Sequence, residues 1–148
     1  MTDSEYMQLA LEQAALAEKE NEVPVGAIVV FGDQVVGAGH NTRESELDIS
    51  GHAEIKALQA AAKTLGRWSL EGCRLYVTLE PCLMCAGAIL QSRVSSVCFG
   101  AKDPKEGAIV SKHHVYDGEK GAPLIEFGVA EKQCSDVLTA FFAKQRKA

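Results

Sequence analysis

Three residues of this chain have the types and the spacing of a metal site, and a fourth is suited to moving protons beside it. His52 lies two residues before Glu54, and Cys82 and Cys85 follow later in the chain. A structural zinc ion is usually closed by four protein ligands, whereas a catalytic zinc ion has three and keeps one position for water. Three ligands and a neighbouring carboxylate therefore predict a catalytic site with one Zn²⁺ per chain.

The chemistry predicted for this group is hydrolysis. Zinc lowers the pKa of a bound water molecule toward neutrality, and Glu54 is the predicted catalytic residue, which takes the proton of that water and passes it to the substrate. Ala53 places a backbone N–H group in the same turn, where it is a candidate donor to the substrate. The competing interpretation is a structural zinc ion closed by a fourth ligand, for which the chain offers His40, Cys73, Cys98, His113 and His114.

Two helix starts are predicted to hold the ligands. Cysteines three positions apart share one helix face, and proline suits the start of a helix. We therefore predict a helix over 82–92 with both cysteines in its first turn. A second helix is predicted to open at His52, with Ser50 or Gly51 as its N-cap and Gly66 as its end. Both helix starts would converge on one ion.

The remaining elements predict a three-layer α/β/α sandwich around a mixed five-stranded sheet. A first helix is expected over Asp3–Lys19, and a last helix over 130–144. Strands are expected at 25–31, 35–39, 74–79, 94–100 and 123–127. The first two strands form an antiparallel hairpin around Gly32-Asp33, and crossovers between later strands favour a parallel central part. The inward face of the last helix is predicted to consist of Cys134, Val137, Leu138, Phe141 and Phe142.

Composition limits the classes of function. The chain has 148 residues, 47% of them hydrophobic, which fits one domain over residues 1–148. We expect no membrane association, because no apolar run approaches the roughly eighteen residues of a membrane span. The polar start after Met1 predicts a cytoplasmic protein. Five cysteines, an odd number, favour free thiols over a disulfide framework. A formal charge of −5 argues against broad, non-specific nucleic-acid binding but permits a local basic patch.

With these motifs in place, the chain resembles the cytidine deaminase superfamily, and within it the bacterial tRNA adenosine deaminases. The pattern His-x-Glu followed by Pro-Cys-x-x-Cys is the signature of zinc-dependent nucleobase deaminases. The matching segments, in order, are Val23-Pro24-Val25-Gly26-Ala27, His52-Ala53-Glu54, Thr78-Leu79-Glu80-Pro81-Cys82, Met84-Cys85-Ala86-Gly87-Ala88 and Phe99-Gly100-Ala101 with Asp103.

The resemblance implies that His52, Cys82 and Cys85 bind zinc and that Glu54 moves the protons. It also implies substrate contacts at Asn41 and Asp103, a homodimer, and conversion of the wobble adenosine in a tRNA anticodon loop to inosine. From the residues alone, Asn41 is also an ordinary turn residue, and Asp103 an ordinary loop carboxylate.

Three hypotheses of function remain open from the sequence. The first is a deaminase acting on tRNA, for which the basic tail 141–147 is a candidate contact, although Phe141 and Phe142 also fit a helix core. The second is a deaminase of a free nucleobase, nucleoside or related amino-heterocycle, which the acidic charge favours. The third is a non-catalytic binding module stabilised by zinc. Whether residues 102–121 form a lid over the site is also left open.

Overall fold

The computed structural model describes residues 1–147, and for Lys147 it describes the backbone. Helix α1 spans Asp3–Lys19, as predicted. It begins with a capping box, in which the Glu5 N–H donates to the Thr2 hydroxyl and the Thr2 N–H donates to the Glu5 carboxylate. This reciprocal pairing satisfies backbone donors that have no acceptor inside the helix.

Five strands form one sheet, with helices between and after them. The strands are β1 (Gly26–Phe31), β2 (Gln34–His40), β3 (Cys73–Leu79), β4 (Ser96–Ala101) and β5 (Leu124–Phe127). The remaining helices are α2 (Ala53–Leu65), α3 (Leu83–Ser92) and α4 (Glu131–Lys147). The strand order is β2-β1-β3-β4-β5. Strand β1 runs antiparallel to both neighbours, while β3, β4 and β5 are parallel. The predicted mixed five-stranded sheet is confirmed.

Two cores on opposite faces of the sheet make the three predicted layers. Helices α2 and α3 cover one face, where Ala57, Ala61 and Ile89 pack on Leu75 and Val77. Helix α1 covers the other face together with α4, and the buried residues there are Tyr6, Met7, Ala10, Ile28, Val30, Tyr76, Cys98, Ala101 and Cys134. The alternation of strand residues between the two cores follows from the period of two in a β-strand.

The structure departs from the predictions at one point of the fold, in the last helix. The parallel strands β4 and β5 are joined by an irregular segment, in the region where no helix was predicted. Phe142 was predicted to face inward, and this is wrong: its side chain is 44% exposed, whereas Cys134 and Phe141 are buried. Helix α4 packs against the sheet and α1 on one side only. A narrow apolar face is therefore enough to cover the core, and the predicted apolar face was too wide.

The segments that carry the predicted site residues meet at one edge of the sheet, where β2, β3 and β4 end. Strand β2 ends at His40 opposite Gly26 of β1, and Leu79 pairs with Ala101, so that β3 and β4 end side by side. Helix α3 begins shortly after β3 ends, and α2 begins after the loop that follows β2. Side chains at the ends of these strands and the starts of these helices therefore meet, as is usual for open α/β sheets. Within residues 1–147, no helix is both long and apolar enough to span a membrane.

Candidate functional site

The structure brings the three predicted ligands together. The His52 Nδ1 atom lies 3.3 Å from the Cys85 Sγ atom and 3.6 Å from the Cys82 Sγ atom. The three ligand atoms all lie within 4.8 Å of one another. His52 and Cys82 are half-buried and Cys85 is buried, so the cluster is accessible from one side.

Two of these residues occupy helix N-caps. His52 caps α2 and Cys82 caps α3, both with extended backbone, and neither side chain hydrogen-bonds to its own helix. The prediction of Ser50 or Gly51 as the α2 N-cap is therefore wrong, and Cys82 lies just before the first turn of α3 rather than in it. A cap position leaves the side chain free to point away from the helix, and here both point toward Cys85.

The donor set fits a tetrahedral zinc ion. Nitrogen and sulfur ligands at ordinary zinc distances in a tetrahedral site lie about 3.6 Å apart, close to the separations between His52 and the two cysteines. The hydrogen bond from the Cys85 thiol lowers the pKa of Cys82 to about 3, and the same contact raises the pKa of Cys85. The pair therefore keeps one thiolate at neutral pH, and thiolate is the form that binds metal.

No fourth protein ligand joins the cluster in the part of the chain that the structure describes. His40 instead contacts Glu20, with 2.8 Å between the His40 Nε2 and Glu20 Oε1 atoms. Cys73 and Cys98 are buried as free thiols. Three protein ligands with one accessible side match the composition of a catalytic zinc site rather than a structural one.

Glu54 lies in the first turn of α2, beside the cluster. Its side chain is 4% exposed, and burial raises its pKa to about 7, although its own backbone N–H and the charge of His52 act in the opposite direction. A carboxyl group with a pKa near neutrality can both accept and release a proton at physiological pH, which is the requirement for general acid–base chemistry.

The predicted substrate contacts lie at the same edge. Asn41 follows β2 directly; its amide nitrogen donates to the Val23 carbonyl, while its Oδ1 atom is buried without a hydrogen-bond partner. Ala53 is buried at the first position of α2, where a backbone N–H has no acceptor within the helix. Asp103 follows β4 and is half-buried; its Oδ1 atom accepts the N–H groups of Lys105 and Glu106, as in an ordinary turn.

Sequence reasoning missed Glu22, a buried carboxylate that holds the loop 41–51. Glu22 is 1% exposed and accepts the backbone N–H groups of Glu44 at 3.2 Å and Ser45 at 2.6 Å. Burial on its own raises the pKa of Glu22, but these hydrogen bonds outweigh it and hold the pKa below its usual value. The loop that leads from Asn41 to His52 is thereby fixed to the end of α1.

A second buried carboxylate, Glu80, was also missed, although its position gave a signal. Glu80 follows a buried strand, directly precedes Pro81, and is 2% exposed. Its two oxygens accept hydrogen bonds from residues 103 and 109–111. A carboxylate between an apolar strand and a ligand-bearing helix needs internal donors, and these donors lie more than twenty residues away in the sequence.

The basic end of α4 lies near this edge. The Lys144 Nζ atom is 3.8 Å from the Glu18 Oε2 atom, and the Gln145 amide donates to Asn21 at 3.1 Å. Asn21 is the residue before Glu22, which holds the loop 41–51. Helix α4 therefore presents Lys144 and the exposed Arg146 beside the segment that leads to the site.

The MafB19-like deaminase family matches residues 1–146. The chain is 45% identical to a tRNA-specific adenosine deaminase of Bacillus subtilis, over 99% of this chain and 93% of that protein. It is 45% identical to a tRNA-specific adenosine deaminase of Haemophilus influenzae, over 98% of this chain and 86% of the relative. A solved structure from work on A-to-I editing by tRNA:A34 deaminases at the wobble position superposes with a TM-score of 0.87 and 38% identity, covering 90% of this chain and 99% of that one.

Proposed function

The chain belongs to the MafB19-like deaminase family, and from this membership we propose that it is a zinc-dependent hydrolytic deaminase that converts the wobble adenosine of tRNA to inosine. The relatives named tRNA-specific adenosine deaminases support the choice of substrate, because they match at 45% identity over nearly their whole length. We also propose that residues 1–148 form one catalytic domain.

The observation that carries the proposal is the cluster of His52, Cys82 and Cys85 with Glu54 buried beside it. These three side chains would hold one zinc ion per chain, since they supply the soft and imidazole donors that zinc prefers. When bound there, zinc would supply the activation of water at neutral pH.

Glu54 carries the proton transfers in this proposal. It takes a proton from the attacking water and passes it to a ring nitrogen of adenine as the C–O bond forms. It then takes the remaining hydroxyl proton and passes it to the amino group, which leaves as ammonia while the C–N bond breaks and the carbonyl forms. Burial beside the cluster suits this role, because an acid and base that serves in both directions needs a pKa near the working pH. The Ala53 N–H, at the start of α2, would donate to the substrate.

Asn41 and Asp103 are proposed to position the nucleotide. The unpartnered Oδ1 atom of Asn41 is a buried acceptor, and buried polar atoms usually pair with a protein group, a water molecule or a ligand. Asp103 has its Oδ1 atom engaged in the turn, which leaves its other oxygen for the substrate. A base in the single-stranded anticodon loop reaches such a pocket without the full cost of leaving a duplex.

The end of α4 is proposed to contact the phosphates of the tRNA. Replacing Lys144 and Arg146 together by alanine should weaken tRNA binding and lower its salt dependence, with a slope smaller by about 1 to 2 in log–log form. A matched control replaces Lys63 and Arg93, which lie at the far ends of the two helices that begin at the site. Equal effects of the two double variants would argue against this contact.

We further propose a homodimer in the cytoplasm. Four large apolar side chains near the site are exposed: Leu47, Ile49, Leu83 and Met84. Exposed apolar side chains of this size are typical of interaction surfaces. All five cysteines are free thiols, which suits a reducing compartment. Light scattering should give a mass of twice the 15.9 kDa of one chain, and a Leu83→Asp variant should shift it toward the monomer.

The decisive experiment compares tRNA with free substrates. The zinc-loaded protein is incubated with an unmodified tRNA that carries adenosine at the wobble position, and in parallel with adenosine, cytidine, cytosine and guanine. We expect inosine at that one position and no ammonia from the free compounds. The same tRNA with guanosine at the wobble position is the control. Ammonia release from a free base with no inosine in tRNA would replace the proposed substrate by a small molecule.

A further inference from the structure

The loop 102–116 is fastened to the segment that carries the ligands through one side chain. Glu80 lies two residues before Cys82, and its own N–H donates to the Ala101 carbonyl at 2.8 Å. The Oε2 atom accepts three consecutive backbone N–H groups, from Ile109 at 3.1 Å, Val110 at 2.8 Å and Ser111 at 3.0 Å. Consecutive N–H groups that point at one oxygen form a local anion-binding concavity.

The second oxygen of Glu80 fastens the beginning of the same loop. The Oε1 atom accepts the Asp103 N–H at 3.0 Å and the Ser111 hydroxyl. Every partner of this carboxylate is a donor, and all of them belong to the loop. The loop is thus folded around a single buried charge, which holds Asp103 at a fixed place beside the site.

Small residues and backbone hydrogen bonds allow the loop 102–116 to pack closely around the Glu80 carboxylate. A Cβ atom at Gly107 would lie 2.5 Å from the Asp103 carbonyl oxygen and would also overlap the Glu80 carboxyl group, so a larger residue cannot stand there. The Ala108 N–H donates to the Pro81 carbonyl at 2.9 Å. At the far end of the loop, the Tyr116 hydroxyl donates to the Ala86 carbonyl of α3 at 2.8 Å.

We propose that Glu80 is a positioning residue, which sets the loop 102–116, and with it Asp103, against the metal cluster so that the nucleotide is bound in register with Glu54. This inference rests on the proposed function, because the bound nucleotide is that of the tRNA substrate. Glu80 touches neither the substrate nor the reacting atoms, and its effect passes through the loop. Its loss should therefore impair substrate binding more than the proton transfers.

The isosteric variant Glu80→Gln gives a sharp test, since an amide has one acceptor and one donor where the carboxylate has two acceptors. If the amide oxygen keeps the three N–H groups of residues 109–111, the amide nitrogen must face the Asp103 N–H, and two donors then oppose each other. The variant should therefore release Asp103 while the rest of the loop stays attached. We expect KM for an anticodon stem-loop to rise about tenfold, with kcat within about threefold and one zinc ion retained per chain.

Two further variants separate positioning from general stability. Ser111→Ala removes one of five donors and leaves the Asp103 contact, so KM should change by less than about threefold. Tyr76→Phe removes a buried hydroxyl that donates to Asp3 on the other face of the sheet, and it should leave KM unchanged. Amide hydrogen exchange in Glu80→Gln should be faster at residues 103, 105 and 106 than in the wild type and unchanged in the loop 41–51.

The outcomes distinguish this inference from the proposed function. If the wild type makes no inosine in tRNA, the proposed substrate is wrong, and the exchange rates at residues 103, 105 and 106 still decide whether Glu80 positions the loop. If Glu80→Gln keeps wild-type exchange and wild-type KM, the positioning role is wrong. If it loses zinc and kcat together, Glu80 supports the ligand segment instead, and the inference is also overturned.

Discussion

Replacing Glu54 by glutamine should abolish turnover while leaving the metal cluster intact. Glutamine has the same size, so the buried site at the start of α2 is not opened. Among the described residues, Glu22 and Glu80 are the other buried glutamates, and both accept backbone N–H groups from the loops they hold. In the described part of the chain, no other buried carboxylate is therefore free to take over the proton transfers of Glu54.

The expected fall in kcat is large because no other buried carboxylate that the structure describes can replace Glu54. General acid–base catalysis contributes about 10² to 10⁴ in rate, and one residue is proposed to serve both the attack of water and the departure of ammonia. We expect kcat for inosine formation to fall by about 10³ to 10⁴, which corresponds to about 4 to 5.5 kcal/mol in the barrier. Binding of the tRNA should change little, because the carboxyl group acts on the reacting atoms.

The assay is single-turnover inosine formation in tRNA, with zinc content and thermal unfolding measured on the same preparations. Glu12→Gln, an exposed substitution on α1, is the matched control and should keep wild-type rates. Retention of zinc with kcat within tenfold of the wild type would refute the role assigned to Glu54. Loss of zinc would instead assign Glu54 to the metal site.

Three further predictions concern the metal, the acid stability and the packing. Cys85→Ser should reduce bound zinc well below one ion per chain and remove the stabilisation that zinc gives to the folded protein. At a zinc concentration a hundredfold above the Kd for zinc, this stabilisation is about 3 kcal/mol. Thermal unfolding with and without added zinc measures it. The pKa of Glu22 is lowered in the folded state, so the stability that its carboxylate provides is complete above about pH 4.3, the usual value for glutamate. This stability is lost as the pH falls through the lowered pKa. In denaturant titrations from pH 7 to pH 3, the free energy of unfolding should therefore fall less for Glu22→Gln than for the wild type. In Gly26→Ala the added Cβ would overlap the backbone of α1, so the free energy of unfolding should fall by about 3 kcal/mol or more.

The site was predictable from the sequence where the chemistry is local. Cys82 and Cys85 are three positions apart, and the apolar residues after Pro81 recur with helical period, so spacing alone places both thiols at one helix start. The meeting of His52 with them depended on the sheet, and the predicted crossovers were sufficient to anticipate it. The N-cap of α2 was misassigned because N-cap preference ranks serine highly, whereas here a histidine that makes no capping bond occupies the position.

The fastening of the two loops could not be predicted in the same way. Glu22 and Glu80 are each satisfied by backbone N–H groups that lie far away in the sequence, and such donors have no residue type that a pattern could detect. Periodicity describes helices and strands, while loops 41–51 and 102–116 follow from the position of one buried charge each. Phe142 shows the reverse error, since its type indicated burial but α4 has a neighbour on one side only.

The short strand β5 has a consequence for the behaviour of the protein at high concentration. It borders the sheet with four residues, Leu124–Phe127, and an uncovered border of this kind can recruit a strand from another molecule and start aggregation. Pro123 precedes it, Glu126 is exposed within it, and the Lys102 ammonium lies 4.9 Å from the centre of the Phe127 ring. Edge strands that are short, follow a proline and carry charged residues are commonly protected against pairing with a strand of another molecule. Concentrated solutions of the protein should therefore remain free of fibrous assemblies.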